Sequence, residues 1–510
     1  MIHDSSLESV DAGILDKNAE YLGVSTLQLM ENAGRSVADL VSARFGTGSS
    51  VLVYSGVGRN GGDGMVAARH LAARKFKVTL RLVGDARAII DPIVLQNWVA
   101  LKSMSSSVRI EECRDSSSLS ESDSDVLIDA VLGTGVKGRL RHPILRAVQV
   151  INASRGFKVA VDVPSGIDSE TGEVLGEAVH ANTTVTFHSV KIGLRKVASF
   201  CGELNVADIG IPPEAAIFAG PGDVEAVKTR RPPEAHKGQF GRLLVVGGSE
   251  TFSGAPTLVA LAAYRAGTDL VFIAAPEKTA QVISAISPNL ISKLPGENFA
   301  VAHIRMLREH IENATAVVVG PGLGQSAKTT SAIRRILPIL RESRKPILLD
   351  ADALRCLGVV KKKLFDHSTV LTPHAGEFQA ISGKPPSKGL PARSSEVKAF
   401  AAKSGAVTLM KGATDVISDG ERVRLNATGN PGMTVGGTGD VLAGVVAGLM
   451  SQGMDTFRAA VAGAFVNGAA GDLAEERFGY HLTPTDLLEY IPKVLNDPMC
   501  HKEIHLKRLQ

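Results

Sequence analysis

The sequence predicts two α/β domains, each a largely parallel sheet covered by helices. Three observations carry that prediction. Short β-branched runs alternate with stretches of helical periodicity, the pattern of strand–crossover–strand units. Each apolar run ends in glycine or polar residues, as strands do where a parallel sheet opens onto a ligand cleft. The chain has 510 residues, more than one hydrophobic core usually supports.

In the first half "VLVYSG" (51–56), "KVTLRLVG" (77–84), "DVLIDAVLG" (125–133), "KVAVDVPSG" (158–166) and "TTVTFHS" (183–189) read as buried strands. Residues 25–45 repeat apolar positions at Met30, Ala33, Val37, Leu40 and Val41, with Ser25 and Gln28 spaced as a capping box. The Ser-rich stretch 103–124 reads as a polar surface segment. Residues 211–241 hold two Pro-Pro pairs, a Gly-Pro-Gly and a charge cluster. Neither helix nor central strand runs through such prolines, so the boundary is set near residue 220, giving domains 1–220 and 221–510. The second half repeats the alternation in "RLLVVGGS", "DLVFIAAP", "TAVVVGPG", "KPILLDAD", "TVLTPHAGE" and "AVTLMKGATDVI".

Composition narrows the class. Hydrophobic residues at 44% and charged residues at 21% are those of a soluble globular protein. A net charge of +4 with no basic run among aromatics argues against a nucleic-acid partner. The cysteines (113, 201, 356, 500) lie far apart with no CxxC pair, which argues against a disulfide scaffold or structural zinc and fits a reducing compartment. No run reaches the ~18 apolar residues of a membrane span, and the N-terminal residues lack the apolar centre of a signal peptide. A cytoplasmic enzyme is expected.

"GVGRNG" (56–61) satisfies GxGxxG after a strand, and Asp85 stands where a ribose-binding acid belongs. Yet Asp63 would bring negative charge to the helix start where a pyrophosphate needs positive potential, which disfavours a dinucleotide grip. Other strand ends carry Asp129, Asp162 and Ser165; an Asn side chain, a carboxylate, a hydroxyl and loop carbonyls are hard oxygen ligands suited to an alkali or alkaline-earth cation, with turn and cap residues as the plain alternative.

In the second half, "GGTGD" (436–440) leads into an apolar helix. Glycine amides at a helix N-terminus suit a phosphate. Asp440 then reads as a base for a hydroxyl proton rather than as a cap. No GxxxxGK[ST] loop is present, which excludes a P-loop NTPase.

"SGVGRNGGDG", "DAVLGTGVKGR" and "VDVPSGID" resemble the N-terminal, Rossmann-like, three-layer α/β/α domain of the bifunctional NAD(P)H-hydrate repair enzymes, the NAD(P)HX epimerase. "GGSETFSGAP", "VVGPGLG", "LDADAL", "TPHAGEF", "KGATD" and "GGTGDVLAG" resemble their C-terminal, ribokinase-like, ADP/ATP-dependent dehydratase domain. The resemblance implies that Arg59, Asn60, Gly61, Gly62 and Asp63 line the hydrated nicotinamide nucleotide, as do Gly133, Thr134, Gly135, Val136, Lys137, Gly138 and Arg139. It implies substrate contact by Asp162 and a potassium ion held by Asn60, Asp129 and Ser165. Arg59 departs from the family, where a second asparagine is usual. Lys191 reads as a solvated strand-end lysine rather than a catalytic one. For the second domain the resemblance implies substrate contacts from Ala255, Gly322, His374 and Asp440. It implies adenine-nucleotide contacts from Lys411, Gly412, Ala413, Thr414, Asp415 and Gly439, with Mg2+ on the transferring phosphate. His374 has a plainer alternative as a loop histidine. The implied chemistry is interconversion of the R and S epimers of NADHX and NADPHX, then ADP- or ATP-driven dehydration of the S form, in a homo-oligomer. A small-molecule kinase, and a first domain acting only as scaffold, are the competing expectations.

Overall fold

A computed structural model describes residues 9–293 and 299–508, the side chains of 9–11 aside. The chain divides into two compact units, Met1–Pro212 and Pro213–Gln510. The division precedes the boundary expected near residue 220, because the segment after Pro213 packs on the second unit. There Ala219 N–H donates to Leu425 O (2.7 Å), and Arg424 reaches Asp223 (2.8 Å).

In the first unit the described strands are β1 (Ser50–Ser55), β2 (Lys77–Val83), β3 (Val108–Cys113), β4 (Val126–Ala130), β5 (Phe157–Val161), β6 (Thr183–Phe187) and β7 (Glu203–Ala207). They form one parallel sheet in the order β3-β2-β1-β4-β5-β6-β7. Alternate residues serve opposite faces. Val51, Val53, Val126 and Ile128 join one apolar core with α2 (Thr26–Arg44) and α3 (Arg59–Ala73). Leu52, Tyr54 and Leu127 join another with the helix Ile144–Ala153. Three layers result. The expected capping box opens α2, Ser25 Oγ accepting from Gln28 N (3.3 Å) and Gln28 Oε1 from Ser25 N (2.8 Å). The stretch 103–124 is more than a polar surface segment: β3 runs through it. It is an edge strand whose Val108 and Cys113 are buried while its middle carries charge, so its sequence has no continuous apolar run.

The second unit places β8 (Arg242–Val246), β9 (Leu270–Ala274), β10 (Ile291–Ser292), β11 (Ala316–Val319), β12 (Ile347–Leu349), β13 (Thr369–Leu371), β14 (Val407–Met410), β15 (Asp415–Ser418) and β16 (Val423–Asn426) in the order β10-β9-β8-β11-β12-β13-β14-β15-β16. Strands through β14 are parallel, and β15 and β16 add an antiparallel edge. "AVTLMKGATDVI", read as one strand, is therefore two, β14 and β15, joined by a turn. The helix Thr438–Ser451 is buried all round from Val441 onward, as a helix inside a core must be. It lies so close to the helix Gly254–Arg265 that a Cβ on Gly444 would sit 2.3 Å from Val259 O. This is the fold class expected from the sequence, two α/β domains.

Both sheets share one feature that positions function. The chain builds outward from β1 through β2 to β3, then returns to the other side of β1 with β4; β8, β9, β10 and β11 do the same. At such a reversal the crossovers on either side run over opposite faces, and a crevice opens beyond the strand ends.

Candidate functional sites

In the first unit the β1/β4 reversal gathers the oxygen ligands. Asp129, at the end of β4, is 1% exposed and accepts from Ser165 Oγ (2.6 Å) and Ser165 N (2.7 Å). Asn60 gives its Nδ2 to Leu132 O (2.8 Å), and Leu132 N–H donates back to Ser165 Oγ (2.9 Å). The three residues thus share one small network, which leaves Asn60 Oδ1 as an acceptor. Burial pushes Asp129 up to about 6 against the hydrogen bonds from Ser165 and Val131. This donor set is all hard oxygen, and the described residues hold no cluster of three His, Cys, Asp or Glu side chains suited to a metal. A weakly charged, oxygen-seeking ion fits; a transition metal does not.

The glycines there are steric requirements. A Cβ on Gly61 would lie 1.9 Å from Gly56 O, and one on Gly133 3.2 Å from Asn60 Cβ. Asp63 falls in the second turn of α3, not at its start as expected, because Gly58 is the N-cap. Half-buried, it is driven well above the ordinary carboxyl range by desolvation, with Asp162 and Asp16 adding to the rise. Asp85, at the position a ribose-binding acid would take in the dinucleotide grip disfavoured from the sequence, caps a short turn and pairs with Arg87 (Arg87 N–H to Oδ1, 2.9 Å). Thr134 to Arg139 form a loop at the surface, Lys137 tied to Glu170 (3.0 Å) and Asp168 (3.3 Å).

Lys191 corrects the sequence reading. It is 3% exposed, not solvated, and pairs with Asp162 while donating to Thr186 Oγ1 (3.1 Å) and Phe187 O (3.0 Å). Asp162 itself has a left-handed backbone (φ 64°), an unfavourable conformation for a residue with a side chain. Its carboxylate is clamped by Lys191, Phe187 N (3.1 Å) and Thr186 Oγ1 (3.2 Å). Arg59, the departure from the family pattern, is largely exposed and pairs with Asp91 (2.9 Å).

In the second unit the motifs meet beyond β8, β11, β12, β13 and β14. Gly322 (φ 65°) and Ala255 are neighbours across the β8/β11 reversal: a Cβ on Gly322 would meet Ala255 Cβ at 3.3 Å and Phe252 Cβ at 2.9 Å. His374 caps the helix Ala375–Ser382, its Nδ1 accepting from Gly376 N (3.0 Å). Nε2 therefore carries the ring proton in the neutral form. Asp415 braces the turn between β14 and β15, accepting from Gly412 N (3.0 Å) and Asn426 Nδ2 (3.0 Å), so the Lys411–Thr414 backbone, not this carboxyl, is what the turn displays.

Asp440 lies in the first turn of Thr438–Ser451, behind Gly437 (φ 110°). No hydrogen bond to its carboxyl is found among the described residues, so it is not spent as a cap. Burial pushes it up to about 7, Asp350, Glu377 and Asp352 adding to the rise and Lys411 opposing it. Lys411 is anchored by Asp350 (2.9 Å), which is 2% exposed, and its ammonium lies 3.4 Å from where a Cβ on Gly439 would be. Burial works against the Lys411 charge, but Asp350, Glu377 and Asp440 outweigh it and hold its pKa above the ordinary value. Carboxylates outnumber cations here, which leaves room for a divalent cation arriving with phosphates.

Sequence reasoning missed Asp16, Asp350 and Phe252. Asp350 sits in the quoted "LDADAL" and was reachable from it. Phe252, 53% exposed beside Gly322, sits likewise in the quoted "GGSETFSGAP", whereas Asp16 carries no local signal.

Together, fold and sites define an α/β enzyme of two units, the first gathering Asn60, Asp129 and Ser165 beyond the β1/β4 reversal and the second setting Asp440 at a glycine-opened helix start. Residues 26–193 match the family model described as YjeF-related protein N-terminus, and residues 243–493 match that of NAD(P)H-hydrate dehydratase. The bifunctional NAD(P)H-hydrate repair enzyme Nnr of Hyperthermus butylicus is 43% identical, with 97% of this chain and 93% of the relative aligned. That of Pyrobaculum aerophilum is 45% identical over 96% and 98%. The chain belongs to this family of bifunctional NAD(P)H-hydrate repair enzymes. Among solved structures it is similar to an ADP/ATP-dependent NAD(P)H-hydrate dehydratase from Bacillus subtilis co-crystallised with ATP and Mg2+ (27% identity, TM-score 0.47, 55% of this chain and 98% of that one).

Proposed function

We propose that the first unit interconverts the R and S epimers of NADHX and NADPHX, and that the second dehydrates the S form at the expense of ADP or ATP. The hydrate carries a hydroxyl on C6 of the nicotinamide ring, and hydroxide is a poor leaving group near neutral pH. Phosphorylation makes it a good one. Asp440 takes the hydroxyl proton as the oxygen attacks the terminal phosphorus, while the amides opening Thr438–Ser451 and the Lys411 ammonium steady the phosphate. The C6–O bond then breaks with help from the ring nitrogen, C5 gives up a proton, and the reduced nicotinamide returns. Asp350 and Glu377 are the residues to hold Mg2+ with the nucleotide, and the ion supplies charge neutralisation on the phosphates. In the first unit Asn60, Asp129 and Ser165 are proposed to hold K+, Asp162 to contact the substrate, and the two glycine loops, 59–63 and 133–139, to line it. A homo-oligomer in the cytoplasm completes this reading. No helix among the described residues is long and apolar enough to cross a membrane, and Cys113, Cys201, Cys356 and Cys500 are all unpaired.

The observation that carries the proposal is Asp440, poised near neutrality beside Lys411 at a glycine-opened helix start. The test is purified chain, an R/S mixture of NADHX, Mg2+, K+ and ADP or ATP, followed by absorbance of the reduced nicotinamide. The whole pool is expected to be recovered with K+. Without epimerisation, recovery stops at the S fraction. A stable phosphorylated product with no regenerated NADH would overturn the dehydratase reading in favour of a small-molecule kinase.

A further inference from the structure

We propose that Phe252 is a substrate-contacting, specificity-determining residue of the dehydration site, its ring stacking on the flat half of the hydrated nicotinamide. This deepens the dehydratase reading above and rests on it. Among the described residues Phe252 is the one phenylalanine left exposed, at 53%; the others are buried or partly buried. A single exposed apolar side chain needs no explanation in itself. Its placement is what points to a ligand.

The backbone that carries the ring is fixed. Phe252 N donates to Ser249 O and Ser249 N to Phe252 O, both at 3.2 Å. Ser249 O also accepts from Thr279 Oγ1 (2.7 Å), and Gly248 N donates to Pro321 O (2.8 Å). The loop after β8 is thus tied to the helix Glu277–Ile286 and to the loop after β11. Close contacts then link Phe252 to the helix of Asp440. A Cβ on Gly322 would lie 2.9 Å from Phe252 Cβ and 3.3 Å from Ala255 Cβ. Ala255 and Leu258 share one face of the helix Gly254–Arg265. A Cβ on Gly437, the N-cap of the helix bearing Asp440, would lie 2.8 Å from Leu258 Cδ1. On the other side Gly439 faces Lys411, which Asp350 anchors (2.9 Å), and a Cβ on Gly320 would lie 1.8 Å from Asp350 O. The circuit from Phe252 through Gly322, Asp350, Lys411 and Gly437 back to Ala255 closes around one crevice.

Hydration saturates C5 and C6 of the nicotinamide ring but leaves N1, C2, C3 and the carboxamide conjugated and flat. An aromatic side chain covers such a face well. The donor nucleotide's base belongs elsewhere. The turn Lys411–Asp415 follows β14, which stands four strand spacings from β8, about 19 Å. A stack at Phe252 therefore falls to the hydrate, and it favours this ring over other alcohols that could reach Asp440.

The test uses the full chain with Phe252→Ala, Phe252→Tyr and Phe252→Trp. Dehydration of the S epimer of NADHX is followed by absorbance of the reduced nicotinamide. Hydrate is varied at saturating ADP or ATP with Mg2+, and then the converse. Phe252→Ala is expected to raise KM for the hydrate about 10-fold, and any rise above about threefold that exceeds the rise for nucleotide supports the contact. Phe252→Tyr keeps the aromatic face and should stay within about threefold of wild type on both. A hydrate KM within about threefold of wild type in Phe252→Ala overturns the proposal. So does a nucleotide KM that rises as much or more, which would assign the ring to the donor. If Phe252→Ala melts early, Phe252→Trp decides without turnover. The chain's one tryptophan, Trp98, is buried in the first unit, so the S epimer should quench the introduced indole saturably beyond the change seen in wild type. No added quenching overturns the stack. Failure of the dehydratase reading itself is distinguishable, because wild type would then regenerate no reduced nicotinamide.

Discussion

Asp440 and Lys191 show at the residue scale how burial converts an ordinary side chain into a specialised one. The base form of Asp440 accumulates only above about pH 7, so the dehydration rate should climb with pH below that value and level above it. Asp440→Asn should abolish dehydration and leave epimerisation intact; loss of both in a folded chain would contradict separate sites. Folding responds with the opposite sign. Unfolded Asp440 titrates at its ordinary 3.8, so the stability its proton confers is complete below that pH and lost as pH rises through about 7. Above pH 7 the Asp440→Asn chain should therefore melt at a higher temperature than wild type. Lys191→Met tests the opposite case: it strips the ammonium from a half-buried, strained Asp162. A loss of about 3–5 kcal/mol is expected by denaturant titration of the first unit, together with loss of epimerisation.

At the scale of elements, the loop before the helix Thr438–Ser451 is held from the far end of the chain. Asp472, 0% exposed in the helix Thr456–Phe478, accepts from Gly429 N (2.9 Å), Asn430 Nδ2 (3.0 Å), His501 Nε2 (2.9 Å) and Arg508 Nη2 (2.8 Å). His501 and Arg508 hold the carboxylate well ionised against its burial. Asp472→Ala leaves these donors facing a void, so about 3 kcal/mol or more should be lost. The KM for nucleotide should rise as the 429–437 segment loosens, which steady-state kinetics of dehydration would read. In the first unit the corresponding constraint is steric. Gly61→Ala should cost about 1–3 kcal/mol through contact with Gly56 O, measured by thermal melting.

Across the whole molecule, the apolar clusters of the first unit and the large one around β8, β11 and β12 share no residue among the described residues. Residues 1–212 and 213–510 made separately should each fold, the first retaining epimerisation and the second dehydration. A second fragment that unfolds cooperatively only in the presence of the first would refute that expectation. The cut belongs before Pro213 because residues 213–227 pair with β16 and pack on the second unit.

Local chemistry decided what the sequence alone determined: the buried central strands, the capping box at Ser25, the glycine loops at strand ends and the carboxylate after "GGTG". Each depends on residues within a few positions of one another, where apolar periodicity and glycine spacing suffice. Edge strands β3 and β7 escaped that reading because a strand bonded on one side needs no continuous apolar run. Only the tertiary structure decided which charges meet. Asp162 and Lys191 are far enough apart in sequence, and Asp16 further still, that no spacing rule joins them. The pairing of Asp162 with Lys191 comes into being only when the sheet assembles.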